Sequence, residues 1–522
     1  MPPPPSLQVP NRLLAVAAIV ACAALAIALD HGIQVGRENH AGLIPVVRRL
    51  LDPAYLPGDF GIQIRAHHHR IFALLVAALA LPFGERAAFA VLTWAGYLLV
   101  FAALWQLGAA LALARGRRML LAVALASGFA FLDHGVEANR FLGNGPIMPP
   151  TFAHAGIVFA LAALVRGRWN LALALSGAVA LVHLQIGGIW LLVMALEATR
   201  QRIWRRPAHW LPGLAAALLI ASPALYDLVA LARQGLTRQM GALQDVAFRM
   251  PQHFTFHGNR MAVVLLYLGL FAWTWRRWRS RGDARAARFA PLLSVALILM
   301  ALTLLHYLDY YLLRSGWIAR AQLLRLSMFV PVLAACALLA IGPSPAPRAE
   351  RWPWLVAAFF ALVALGAAFA KGEPPSLRVV DAARMRGHWT ELCDWVRGHG
   401  PQVLYATPPG HVGFTACSDR STLVEFKINP DGGAGREQWL ARLHATAGGV
   451  LPTGVGRIEA AEALDAAYAR LPASGFAALA RDYGVRAAVV PAASALRGPE
   501  LYRNAGYRVV ALDATLAAEA AR

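Results

Sequence analysis

The sequence predicts an all-α polytopic transmembrane bundle followed by a small α/β soluble domain. Three observations predict it. The 522-residue chain is 58% hydrophobic and only 15% charged, with a mean hydropathy of +0.51, whereas soluble domains carry about 25% charged residues. Apolar runs recur from Leu13 to Ala370, many of them approaching the roughly 20 residues that a helix needs to cross a bilayer. After Lys371 charge rises, the apolar runs shorten, and helical and strand patterns alternate, as in a small α/β domain.

The apolar segments lie near 13–29, 71–83, 87–113, 119–132, 151–165, 170–182, 186–198, 209–231, 261–275, 289–307, 320–342 and 353–370, which sets the expectation at about 10–13 helices. The run 13–29 follows a polar, proline-rich start and is followed by no small-residue cleavage site, so it reads as a retained first helix. Two domains are expected: a transmembrane domain over 1–370 with a long external loop at 30–70, and an external α/β domain over 371–522.

Orientation follows from the arginines. They concentrate at 115–118, 166–168, 200–206, 276–288 and 348–351, as cytoplasmic loops do under the positive-inside rule. The alternate loops, 133–150, 183–188, 233–260 and 307–320, then face outward, and so does the C-terminal domain (periplasmic in a diderm host). The net charge of +21 is explained by these loops and by anionic head groups, so membrane lipids rather than nucleic acid are the expected partner. One count conflicts. Three apolar segments separate the external loop 30–70 from the external loop at Asp133, where parity requires an even number. The stretch 87–113 is the expected irregularity, with Trp105-Gln106 as its break.

Within 30–70, apolar Leu43, Val46, Val47 and Leu50 recur at helical spacing with Arg48 and Arg49 interleaved, which suits a short helix lying on the membrane surface. In the tail, helices are expected at 389–396, 436–444, 458–470 and 476–483, the last ending at Gly484. Strands are expected at 403–407, 422–427, 487–491 and 507–512. Cys22 and Cys336 lie in apolar runs and read as packing residues. Cys393 and Cys417 are able to pair if the tail faces an oxidising compartment. No Walker loop, HExxH or Ser-His-Asp elbow is present; Gly432-Gly433-Ala434-Gly435 lacks the following Lys-Ser/Thr and reads as a turn.

Ionisable groups beside apolar segments are functional candidates in a membrane protein. The first external loop offers Asp30, Glu38, Asp52 and Asp59 with His31, His40 and the run His67-His68-His69; His134, Glu137, Asn139 and Arg140 cluster in a second loop. His183 interrupts a pair of apolar segments, where a packed histidine is commoner than a ligand. Arg260, Arg314, Arg320 and Arg325 stand near external helix ends, where snorkelling to head groups is the alternative. Arg420, Lys427 and Arg442 in the tail either bind an acidic acceptor or form a solvated face.

The opening of the chain has an N-terminal helix, the loop Arg37-Glu38-Asn39-His40, and the stretch Arg48-Arg49-Leu50-Leu51-Asp52-Pro53. Leu81-Pro82-Phe83-Gly84 and a basic turn after Ala114 follow. Over roughly 10–200 this resembles the GT-C type polyprenyl-phosphate-dependent glycosyltransferases that act on lipid A and proteins. The resemblance implies a GT-C-like bundle, a polyprenyl-phosphate sugar donor, a glycan or lipid acceptor, and an essential carboxylate in the first external loop. That carboxylate acts as a base or holds a divalent cation (Mg or Mn). It falls on Glu38, with Asp59 and Asp30 as the neighbours that substitute; His40, Arg140, His134, Glu137, His183, Arg320 and Arg325 are then the substrate-binding candidates. Glu38 stands between Arg37 and Asn39 rather than in the adjacent acidic pair common in that superfamily. Further on, Thr407-Pro408-Pro409, Phe414, Ser418-Asp419-Arg420, Glu425-Phe426-Lys427, Glu437-Gln438-Trp439 and Arg442 are similar to an uncharacterised family of bacterial polytopic membrane proteins with a soluble C-terminal domain.

Glycosyl transfer from a lipid phosphate needs cations to stabilise the departing phosphate and a carboxylate within reach of the acceptor hydroxyl. Two other functions fit the sequence: a transporter or flippase of a lipid-linked or polar substrate, and a catalytically inactive GT-C-like scaffold. A transporter favours repeats and helices broken at membrane depth; no internal repeat is evident, and the charges concentrate in loops.

Overall fold

The structure is a computed structural model that describes the chain except residues 1–7, 68, 138–139, 144, 234–249, 342–350, 382–386, 431–432, 453–455, 514–515 and 517–522. His68, Asn139, Gly432, most of the loop 233–260 and most of the basic turn 348–351 therefore lie outside the described residues. The chain divides into two compact units. One comprises Met1–Ile33, Phe89–Tyr226 and His253–Val379; the other comprises Gln34–Ala88, Asp227–Gln252 and Val380–Arg522.

The first unit is helical. Among the described residues of the whole chain, five helices are long and apolar enough to cross a membrane: Arg12–Leu29, Glu85–Ala110, Leu211–Ala230, Arg285–Leu313 and Trp352–Ala370. Pro149–Val165, Trp169–Val182 and Leu323–Leu339 are shorter apolar helices. The chain is thus a multi-pass membrane protein. Helices suit such sequences because each satisfies its own backbone where lipid offers no partner. Small residues let neighbours approach closely. A Cβ on Gly177 would come within 2.5 Å of the Ala217 backbone, so any larger residue there must push two helices apart. The expected break at Trp105-Gln106 is absent, because Glu85–Ala110 is one continuous helix.

A different helix is broken, near 308–326. Helix Arg285–Tyr307 runs into a π turn at Leu308–Leu313. Left-handed Arg314 separates that turn from the short helix Trp317–Arg320, and left-handed Gln322 separates the helix from a 3-10 turn at Leu323–Leu326. Buried Asp309 holds this irregular backbone together. Its carboxylate accepts from the amides of Ile318 (2.9 Å), Ala319 (2.8 Å) and Ser315 (3.2 Å) and from the Ser315 hydroxyl.

The second unit is built on a four-stranded mixed sheet. Its strands are β1 (Tyr405–Ala406), β2 (Ala487–Pro491), β3 (Glu500–Arg503) and β4 (Tyr507–Ala511), in the order β1-β2-β4-β3. β1 pairs parallel to β2, whereas β2 and β3 are both antiparallel to β4. Side chains alternate across β2. Ala488 and Val490 join a core with Leu423, Trp439, Tyr468 and Phe476. Ala487 and Val489 join another with Leu392, Val396, Tyr405 and Phe414. Both faces of the sheet are therefore covered, as the alternating pattern predicts for an α/β layer.

Helices His388–His399, Gly433–Thr446, Arg457–Ala469 and Ala473–Tyr483 fall where the sequence places them; Gly484 ends the last in a left-handed conformation (φ 72°). Three expectations are corrected. Residues 422–427 are not a strand. Only Thr422 bridges to Tyr405, because β1 stops at Thr407-Pro408-Pro409 and proline offers no amide to extend a ladder. Sequence reasoning also missed β3. The amphipathic segment of the first loop is a helix, His40–Leu51, but His40 through Val47 are buried, so that stretch is packed inside the unit rather than laid on a surface.

Candidate functional site

In the bundle, the polar loop at 133–140 carries three of the seven predicted binding residues, His134, Glu137 and Arg140. Gly135 lets it dock: a Cβ there would sit 2.7 Å from the Met328 amide, and the neighbouring Val136 amide donates to Ser327 Oγ at 2.9 Å. His134 Nδ1 meets Asp133 at 2.7 Å, and Arg140 Nε lies 3.9 Å from the same carboxylate. Glu137 is fully buried. Its carboxylate meets His253 Nδ1 at 2.6 Å, and its backbone carbonyl accepts from Arg260 Nη1 at 2.5 Å. His154, His306, Tyr307 and Arg325 lie within range of its charge. His253 and Arg260 thus contact Glu137 directly, and Arg325 feels its charge.

Asp30, at the end of the first helix, is the carboxylate of the first loop that belongs to this unit. Burial pushes it above the usual carboxylate range. The Tyr97 hydroxyl, donating at 3.2 Å, and the charges of Arg140 and His31 pull it partly back. His183 acts as a local cap, its Nδ1 accepting from the Ile186 amide at 3.4 Å. The next polar residue, Gln185, donates to the Ala321 carbonyl at 3.2 Å, beside Arg320.

The second unit holds Glu38, His40 and Asp59. Glu38 is a left-handed residue (φ 50°) with a half-exposed side chain, ion-paired to Lys427 and, at 3.6 Å, to Arg457. Burial and the Arg457 charge both work against the Lys427 ammonium. His40 is buried and accepts from the Gly36 amide at 3.4 Å. Asp59 caps helix Phe60–Ile64 through Oδ1, which accepts from the Ile62 amide at 2.9 Å. It lines a cavity of about 20 Å³, room for one water. Glu425, Thr415, Thr422 and Trp439 line it too.

Glu425 is the acid that sequence reasoning passed over. Burial raises it to about 7, opposed by the amides of Gly413 and Thr415 and reinforced by the Asp59 charge. Burial likewise raises Asp59. An acid set between Val424 and Phe426 is the signal that points to it. The tail arginines are not a solvated face. Arg420 donates to the carbonyls of Gly400 (2.8 Å) and Arg397 (3.2 Å). Arg442 stacks on Phe60, 3.9 Å from ring centre to guanidinium, and donates to the Leu423 carbonyl at 3.0 Å.

Cys393 and Cys417 form a disulfide with a Cα separation of 5.6 Å, closing a loop of 24 residues. Such a loop stabilises a fold by about 3 kcal/mol. Cys393→Ser should therefore lower the tail's unfolding temperature, and in the parent chain a maleimide should label neither thiol until a reductant is added. Labelling of Cys393 without reductant would remove the bridge.

Among the described residues, no three His, Cys, Asp or Glu side chains converge as a ligand set for the divalent ion that the resemblance allows. Residues 387–446 match a domain of unknown function, DUF6798, a stretch that holds Cys393, Cys417, Glu425, Lys427 and Trp439. No curated protein matches the chain.

Proposed function

We propose that this chain is an integral-membrane glycosyltransferase. It takes a sugar from a polyprenyl-phosphate donor on the external face of a bacterial inner membrane and serves cell-envelope glycan or lipid modification. The observation that supports this reading best is Asp30: a carboxyl raised by burial, hydrogen-bonded by Tyr97 and facing the charge of Arg140. A raised carboxyl is a stronger base once ionised. In the reaction the acceptor oxygen bonds to the anomeric carbon, its proton passes to the Asp30 carboxylate, and the bond from that carbon to the phosphate oxygen breaks. The departing phosphate gains charge, which a guanidinium such as Arg140 opposes.

With purified protein and a radiolabelled polyprenyl-phosphate sugar, Asp30→Asn should slow transfer by about 100-fold or more at unchanged yield. Glu38→Gln removes only the ion pairs with Lys427 and Arg457 and should cost far less. The reverse ranking moves the base to Glu38. The broken helix around Asp309 favours a second reading, a transporter. If proteoliposomes accumulate the lipid-linked or polar substrate while wild-type protein transfers no sugar, that reading replaces the first.

A further inference from the structure

We propose that helix Arg70–Phe83 is immersed in lipid without crossing it, both of its ends lying on the side of the membrane that carries the C-terminal domain.

The argument starts from what holds each end. Upstream, Phe60 sits in the same core as Leu423, Trp439 and Tyr468, with Ile64 packed against it. The chain therefore leaves the folded tail only a few residues before Arg70. Downstream, the helix stops at Pro82-Phe83 and Gly84 turns the chain with φ 80°. Glu85 follows at once, and its carboxylate accepts from Arg48 Nε at 3.0 Å and Nη2 at 3.3 Å. The remaining Arg48 nitrogen, Nη1, donates to the Ala416 carbonyl at 2.8 Å and to Asp419 at 2.6 Å. Ala416 and Asp419 belong to the tail. Both ends of the helix are thus fastened to one soluble domain, and a segment fastened so cannot have one end in each aqueous phase. Its length agrees: 14 residues extend about 21 Å, short of a hydrocarbon core of about 30 Å.

The faces of the helix say what surrounds it. Phe72, Ala73, Val76, Ala77 and Ala80 are buried, on the side that packs against His40–Leu51. Leu74, Leu75 and Leu81 recur along the opposite side, and Leu81 and Phe83 are 78% and 65% exposed. Leaving such side chains in water costs about 1.5–3 kcal/mol each. The stripe is wholly apolar, and its ends are marked by Arg70, which is paired with Asp227 at 3.0 Å, and by Arg86. Acyl chains are the occupant that this pattern fits.

The test uses single cysteines in the full chain, with the wild-type protein as the blank. Ala66→Cys and Arg86→Cys flank the helix, and Val450→Cys reports on the tail. In sealed vesicles of known orientation, an impermeant maleimide should reach all three from one side. Labelling of Ala66→Cys and Arg86→Cys from opposite sides would mean that the helix crosses, and would overturn the proposal. Lipid contact is read separately with bimane attached to Leu74→Cys or Leu81→Cys. Lipids brominated on their acyl chains should quench it several-fold more strongly than aqueous iodide. Quenching chiefly by iodide, or a Leu81→Cys disulfide between two copies, would remove lipid as the occupant.

Discussion

Glu137→Ala should destabilise the bundle by about 3–5 kcal/mol, because it removes one partner of a buried charged group and strands the others. The groups concerned are His253, held at 2.6 Å, and Arg325, which feels the Glu137 charge from a buried position. Thermal unfolding in detergent, followed by fluorescence size exclusion, measures the loss. Arg325→Met should also destabilise, and the pair of substitutions together should cost less than the sum of the two. That coupling is the signature of a shared network. Strict additivity would mean that the two groups ignore each other. Glu137→Gln keeps the shape and should cost less than Glu137→Ala. Its effect on sugar transfer then reports on the carboxylate's charge rather than on the fold.

The bundle was legible because hydropathy is a local property: a run such as 353–370 declares itself without reference to any other part of the chain, and Trp352–Ala370 is a helix of the membrane-crossing kind. The tail helices were legible for a similar reason, through periodicity and the Gly484 stop. What the sequence hid was pairing at long range. Nothing local says that Phe60 of the first loop shares a core with Trp439, or that Glu137 meets His253 across 116 positions. Residues 422–427 look like a strand because strand propensity is read residue by residue. Whether a strand forms depends on a neighbour long enough to pair with, and β1 has two residues. Asp227 illustrates the same limit. It is an acid in an apolar helix, a visible signal, yet its role as partner to His67 and Arg70, each at 3.0 Å, becomes apparent only when the chain is folded.

The second large effect concerns pH. Glu425 has a folded-state pKa of about 7 against an ordinary value of 4.5, so the folded tail binds a proton that the unfolded chain releases at lower pH. The sign follows directly: an acid raised by folding leaves stability intact below about pH 4.5 and removes it as pH climbs toward 7. A shift of that size is worth roughly 3 kcal/mol above pH 7, and Asp59, raised in the same direction, adds to it. The tail should therefore unfold more easily at pH 8 than at pH 5, by urea or by heat. Glu425→Gln keeps an acceptor for the Gly413 and Thr415 amides but cannot ionise. It should flatten most of that slope and be the more stable protein at pH 8. A slope unchanged by Glu425→Gln would assign the proton elsewhere, and Asp59→Asn is the variant that would then locate it.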